Sequence, residues 1–120
     1  MRDEEVRSMY FKYFQEEQLP FIQCGKCGHK FFYPRVVCPK CGSSDIKIGL
    51  SEGLGKIFAM TRIYKKDGSY VVYGIVEMNE GFRMYANIVE ENGNTADIGK
   101  KVKVIFREIN GKKYPLFAVT

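Results

Sequence analysis

Two cysteine knuckles constrain this chain more than any other feature: Cys24-Gly25-Lys26-Cys27 and Cys38-Pro39-Lys40-Cys41. Together they hold all four of its cysteines. The Cys-x-x-Cys spacing lets two thiolates reach one metal ion from a single tight turn. Gly28 and Gly42 follow the second cysteine of each knuckle, where a chain reversing around a metal calls for positive φ. The ten residues between the knuckles (28–37) suffice for a short hairpin that carries the second pair to the first. The pattern predicts a tetrahedral site of four thiolates, Cys24, Cys27, Cys38 and Cys41, with structural zinc as the default ion.

Two disulfides are the competing use of the same residues. A disulfide within a Cys-x-x-Cys is usually redox-active, and disulfide staples are rare in reducing compartments. Met1 runs straight into Arg2-Asp3-Glu4-Glu5, without the apolar run of a secretory signal, so the expected compartment is the cytoplasm. Iron is the rival ion, because the knuckles also read as rubredoxin-type, and iron accepts the same four thiolates. The longest apolar stretches are a few residues, far below the ~20 that a membrane span requires.

Around the knuckles the chain divides into three parts, with expected boundaries at 1–20, 21–49 and 50–120. Residues 3–17 carry Val6, Met9, Tyr10, Tyr13 and Phe14 at helical spacing, with charged residues between them, and predict an amphipathic helix that Pro20 stops. Its aromatic stripe can pack on the same chain or dock a partner protein; Tyr10 and Phe14 are the expected anchors of a docking helix. Residues 21–49 read as three short strands around the metal, a zinc ribbon. His29 lies in this hairpin, but four thiolates already close the site, so it is expected to be a surface residue. From Gly53 the chain reads as a β-meander, with strands at 55–64, 70–78, 82–89, 101–109 and 114–119, the second nearly apolar throughout and the third alternating. Asp67-Gly68 and Asn110-Gly111 supply hairpin turns. Five strands, with the longest loop between the third and fourth, predict a small closed barrel of OB type, and Gly74 in mid-strand fits a bend in it. The expected fold is thus mainly β: an N-terminal helix, a rubredoxin-like zinc ribbon and a five-stranded OB barrel.

The net charge of +5 is unevenly placed. Residues 1–20 carry −2, residues 21–50 carry +4, residues 51–99 carry −2 and residues 100–120 carry +5. Basic character therefore belongs to the ribbon and the C-terminal segment, and it suits a polyanion of any size. Arg35 is the most distinctive candidate among the cations. It follows Phe31-Phe32-Tyr33-Pro34, where Pro34 stiffens the hairpin tip, near Lys26, Lys30 and Lys40. Such a guanidinium can grip a phosphate or carboxylate, or simply offset the dianionic four-thiolate core. No set of residues suggests catalysis. The lone histidine sits in the ribbon, no Gly-rich loop resembles a phosphate cradle, and a closed four-thiolate site leaves no position for substrate. The reading is a protein that works by binding, not an enzyme.

The order of motifs resembles a known family. A short aromatic helix leads to Phe-Ile-Gln-Cys-x-x-Cys-Gly, then to Phe-Phe-Tyr-Pro-Arg-x-x-Cys-Pro-x-Cys-Gly-Ser. Gly53-x-Gly55-Lys-Ile, Tyr73-Gly-Ile-Val-Glu-Met-x-Glu-Gly81 and Ile98-Gly99-Lys-Lys-Val-Lys-Val-Ile-Phe106 follow in the same order. This is similar to the prokaryotic zinc-ribbon/OB-fold proteins known as domain of unknown function thirty-five, which are acyl-CoA-associated. The resemblance spans essentially the whole chain. It implies metal ligands at Cys24, Cys27, Cys38 and Cys41, and it matches the family's Pro-Arg with Pro34 and Arg35. It also implies a non-catalytic scaffold that bridges acetoacetyl-CoA thiolase and hydroxymethylglutaryl-CoA synthase at the head of the mevalonate pathway. On that reading Tyr33, Pro34, Arg35, Tyr10 and Phe14 are the expected contacts to a partner or to CoA.

Two other functions compete with it. Ribbons and OB barrels also bind single-stranded nucleic acid, and Tyr73, Arg83 and Tyr85 could line such a face. The acidic balance of residues 51–99 argues against a groove that tracks a phosphate backbone. Electron transfer through an iron-loaded knuckle pair would give the appended barrel no obvious use.

Overall fold

The computed structural model describes residues 2–120. Helix α1 (Asp3–Gln15) opens on Asp3, Glu4 and Glu5, whose charges face the positive end of the helix dipole. Only its Val6 and Tyr10 are fully buried. The helix ends two residues earlier than its periodicity suggests, and Pro20 is not what stops it. Glu17 turns left-handed (φ 58), its N–H reaches the Phe14 carbonyl, and the Gln18 N–H reaches that of Tyr13. Those paired bonds are a Schellman cap, which closes the helix before the chain extends.

Pro20 instead lies within strand β1 (Leu19–Cys24), the centre of a three-stranded sheet with β2 (Lys30–Phe31) and β3 (Ile46–Ser51). Strand β2 pairs only with Ile22 and Gln23, so β1 has a partner on one side alone at Pro20, where a missing N–H is tolerated. The other five strands are β4 (Leu54–Tyr64), β5 (Tyr70–Met78), β6 (Arg83–Val89), β7 (Lys101–Ile109) and β8 (Lys112–Val119). They close into a barrel in the order β4-β5-β6-β8-β7. Strand β6 pairs with β8 in parallel through Ile88↔Phe117 and Val89↔Ala118, while the other pairings are antiparallel. This is the strand order of an OB-type Greek-key barrel, here closed. Asn110 (φ 53) and Gly111 (φ 81) form the two-residue turn that their sequence predicts.

Among the described strand pairings, strand β4 carries the one irregularity in register. Its register on β5 slips between Ile57 and Ala59, making Phe58 the extra residue of a β-bulge. Gly74 faces that bulge, and a Cβ there would collide with the Ala59 carbonyl. The glycine thus admits a close backbone approach, while Phe58 keeps the outward side of the strand, 45 % exposed.

Strand β1 belongs to two cores at once. Leu19 and Phe21 enter the barrel core with Val76, Phe82 and Phe117, and the Phe21 and Phe82 rings stack with centroids 5.0 Å apart. Ile22, on the opposite face, joins Val6, Tyr10 and Phe31 under the helix. The period-two alternation of a strand therefore ties helix, ribbon and barrel through one element. At the far side of the ribbon, the Glu80 carboxylate accepts bonds from Ser51 Oγ and the Glu52 N–H, and the Glu80 carbonyl accepts one from Lys30 Nζ. None of the described helices is long and apolar enough to cross a membrane.

Candidate metal centre and ribbon hairpin

The two knuckles are built alike. Gly28 and Gly42 share φ 77, and each donates its N–H to the first cysteine's carbonyl, Cys24 at 3.0 Å and Cys38 at 2.9 Å. The first cysteine of each knuckle is buried and the second exposed. The Cys24 N–H bonds to the His29 carbonyl and the Cys38 N–H to that of Ser43, which locks each turn to the strand or loop that follows. All four sulfurs lie within 4.8 Å of one another, with Cys24 and Cys41 3.6 Å apart and Cys27 and Cys38 3.7 Å apart. Four sulfurs at roughly 2.3 Å from a central ion in a tetrahedron stand about 3.8 Å apart, so the cluster has the size of a zinc site.

The electrostatics prepare the sulfurs for a cation. The Cys27 N–H points at Cys24 Sγ from 3.4 Å, as does that of Lys26, and these bonds hold the Cys24 thiol down at about 6. The Ser43 N–H pulls Cys41 the same way, but burial and three neighbouring sulfurs push it to about 11. Four crowded sulfurs cannot all be anionic alone, and a dication relieves that frustration. With four ligands supplied by the chain, the site is closed and its zinc structural.

The hairpin that carries Tyr33, Pro34 and Arg35 is braced from the helix side. Tyr10 Oη donates to the Phe32 carbonyl at 2.6 Å, and the Val36 N–H donates to Asp3 Oδ1 at 2.9 Å. Tyr33 is 63 % exposed and Arg35 is exposed, whereas Pro34 is half-buried. Lys30 does not join Arg35 in a basic cluster, because its ammonium is turned to Glu80. His29 is half-buried and stacks on Phe31 at 5.8 Å, away from any ligand role.

Tyr10 is buried and Phe14 is half-buried, and both rings, expected as docking anchors, pack against the chain's own ribbon and barrel. Tyr10 is 3 % exposed, and burial drives its phenol well above its ordinary range. Its ring meets Phe32 at 5.5 Å, and Phe14 bridges Tyr10 to Phe106 of β7 at 6.4 Å. The aromatic stripe of the helix is the seam that joins ribbon to barrel.

On the barrel, a groove of about 720 Å³ runs between the β4–β5 loop and the β7–β8 hairpin, over β6. Its charged groups are already engaged. Glu90 accepts bonds from Tyr70 Oη and the Ala96 N–H, and Arg107 lies 3.7 Å from Glu91. The outer face of β5 and β6 holds Tyr73 and Tyr85, ring planes 9° apart, as the alternation of those strands indicates. Phe58 completes that face. The alternation of Lys56 and Phe58 sets it there, and the mid-strand Gly74 is the signal of the bulge that follows.

Comparison with known proteins places this architecture. A family model described as the ChsH2 rubredoxin-like zinc ribbon domain matches residues 11–46. The chain is 32 % identical over 102 residues to a DUF35 domain-containing scaffold protein of Methanothermobacter thermautotrophicus, covering 79 % of this chain and 76 % of that one. A protein of the same description from Methanocaldococcus jannaschii is 31 % identical over 98 residues, covering 73 % and 67 % of the two chains. Among solved structures, the Ltp2-ChsH2(DUF35) aldolase has a chain that superposes with a TM-score of 0.79 at 23 % identity, over 95 % of this chain and 94 % of that one. That likeness shows a shared fold.

Proposed function

This chain belongs to the DUF35 family of scaffold proteins, and from that premise we propose that it is a non-catalytic accessory subunit that holds a thiolase-type enzyme. Hydroxymethylglutaryl-CoA synthase is the second enzyme held, so that an acyl-CoA product of one is delivered to the other. The observation that carries this reading is the extent of the similarity to proteins described as scaffolds, about three-quarters of the chain at 31–32 % identity. The closed site supports it too. Cys24, Cys27, Cys38 and Cys41 spend all four positions of a tetrahedral zinc on structure, leaving none for substrate. The braced hairpin then offers Tyr33, Pro34 and Arg35 toward a partner or the phosphates of its acyl-CoA.

Single-stranded nucleic acid fits this surface less well. On the face of Tyr73 and Tyr85 the neighbouring arginine is paired with Glu77 at 3.1 Å and the unpaired Lys56 and Lys101 lie at one edge, whereas a groove that tracks a backbone needs unpaired cations along its length.

Co-purification of the tagged chain from its native host tests the proposal. The expected result is one assembly containing a thiolase-type enzyme and the synthase, reconstituted from the three purified proteins, with no acyl-CoA turnover by the chain alone. Recovery of neither enzyme, or tight binding of single-stranded oligonucleotides instead, refutes it.

A further inference from the structure

A scaffold that joins two enzymes needs two surfaces, and the ribbon hairpin is one. The outer face of β4, β5 and β6 has the character of another. Pairing in the sheet aligns Arg83, Glu77, Lys56 and Lys101 in one row across four strands. Glu77 is the only carboxylate on this face, and Arg83 already pairs with it at 3.1 Å while lying 3.7 Å over the Phe58 ring. Lys56 and Lys101 stand directly opposite each other, and Lys103 follows one pleat along β7. None of these lysines has an ion pair among the described residues. Like charges set opposite each other on neighbouring strands weaken a sheet, so the arrangement costs stability in the isolated chain.

Beside this basic edge lies an aromatic centre. Phe58 is 45 % exposed, Tyr73 41 % and Tyr85 68 %, and the two tyrosines stack at 6.2 Å. Exposed aromatic surface flanked by an arginine is the composition of an interface hot spot. A second copy of the chain is a poor occupant. A twofold dimer sets a patch against itself, and this face has no free carboxylate with which to meet its own lysines. An apolar depression bordered by carboxylates would cover the rings and neutralise the lysines together. We infer that the outer β4–β5–β6 face, centred on Phe58, Tyr73 and Tyr85, seats a folded enzyme subunit whose apolar contact surface has an acidic rim. Lys56, Lys101 and Lys103 face that rim. This assignment rests on the scaffold reading and adds to it the surface and the chemistry of the partner.

The test uses the full-length zinc-loaded chain, titrated separately with the purified thiolase-type enzyme and the purified synthase of its own organism. Tyr85→Glu and the double variant Lys101→Glu/Lys103→Glu alter exposed positions, and zinc content and melting confirm that both are folded. One of the two enzymes is expected to bind the parent, to lose at least a hundredfold in affinity for Tyr85→Glu and at least tenfold for the lysine reversal. Raising the salt concentration should weaken the parent complex and barely affect what binding the reversed variant retains. Equal binding of parent and both variants overturns the inference and leaves the scaffold reading standing. A parent that binds neither enzyme overturns the scaffold reading, and this surface assignment with it. A parent dimer that Tyr85→Glu dissociates also overturns the inference, because a second copy is then the occupant.

Discussion

Arg35 has the placement of a contact residue: exposed, without an ion pair among the described residues, on a hairpin held at both sides. The bonds from Tyr10 to Phe32 and from Val36 to Asp3 fix the tip before any partner arrives, which lowers the entropy lost on docking. Arg35→Ala is expected to weaken assembly with the partner enzymes, or the affinity for CoA, about ten- to hundredfold. That corresponds to one charge-assisted hydrogen bond of roughly 1.5–3 kcal/mol. Zinc content and melting should stay at parent values. Arg35→Lys should recover only part of the loss, since an ammonium lacks the planar fork. If both variants assemble and bind CoA like the parent, the guanidinium only offsets the charge of the metal core.

At the scale of elements, the bulge in β4 shows how one glycine shapes a surface. A methyl group at position 74 would press on the Ala59 carbonyl, and the bulge cannot move without also moving Phe58. Gly74→Ala is expected to cost about 1–3 kcal/mol, the usual scale of overpacking, read as a lower midpoint of denaturant unfolding. It should weaken partner binding as well, because a shift of β4 at Ala59 carries the neighbouring Phe58 ring with it. Near-parent stability would show that the strands relax around the methyl. Apolar runs bounded by turn residues, with a clear alternation in β6, could place β5 to β8 within a residue or two. Alternation also sets Phe58 outward with Lys56, but it fails from Ala59 on, since a bulge breaks the period that the inference uses. The helix shows the other limit. Periodicity told which residues of α1 share a face, but not that Ile22, Phe31 and Phe32 of the ribbon cover Tyr10, a contact between segments apart in sequence. The metal site was readable because its ligands come in local pairs, and local spacing is what a sequence displays directly.

For the molecule as a whole, the question is whether 1–20, 21–49 and 50–120 behave as separable units. Strand β1 argues that they are coupled. It carries Cys24 at its end, and the same strand sends Leu19 and Phe21 into the barrel core. The ribbon sheet is small, so zinc binding supplies most of the free energy that holds it. When the metal leaves, β1 loses its anchor and the barrel loses two large side chains. At roughly 1.5–3 kcal/mol for each fully buried side chain, that is about 3–6 kcal/mol of barrel stability. A strong chelator, or Cys38→Ser, is therefore expected to unfold residues 21–49 and also to raise hydrogen exchange in the barrel at Val76, Phe82 and Phe117, which share one core with Leu19 and Phe21. Exchange at Lys113 should follow, because Gln15 of α1 bonds to the Lys113 backbone in both directions. Full protection of the barrel in a metal-free sample would show instead that it folds without the ribbon. Zinc would then govern only the hairpin that presents Arg35. With the coupling as predicted, loss of zinc disturbs both proposed docking surfaces, and a scaffold built this way assembles its enzymes only when metal is bound.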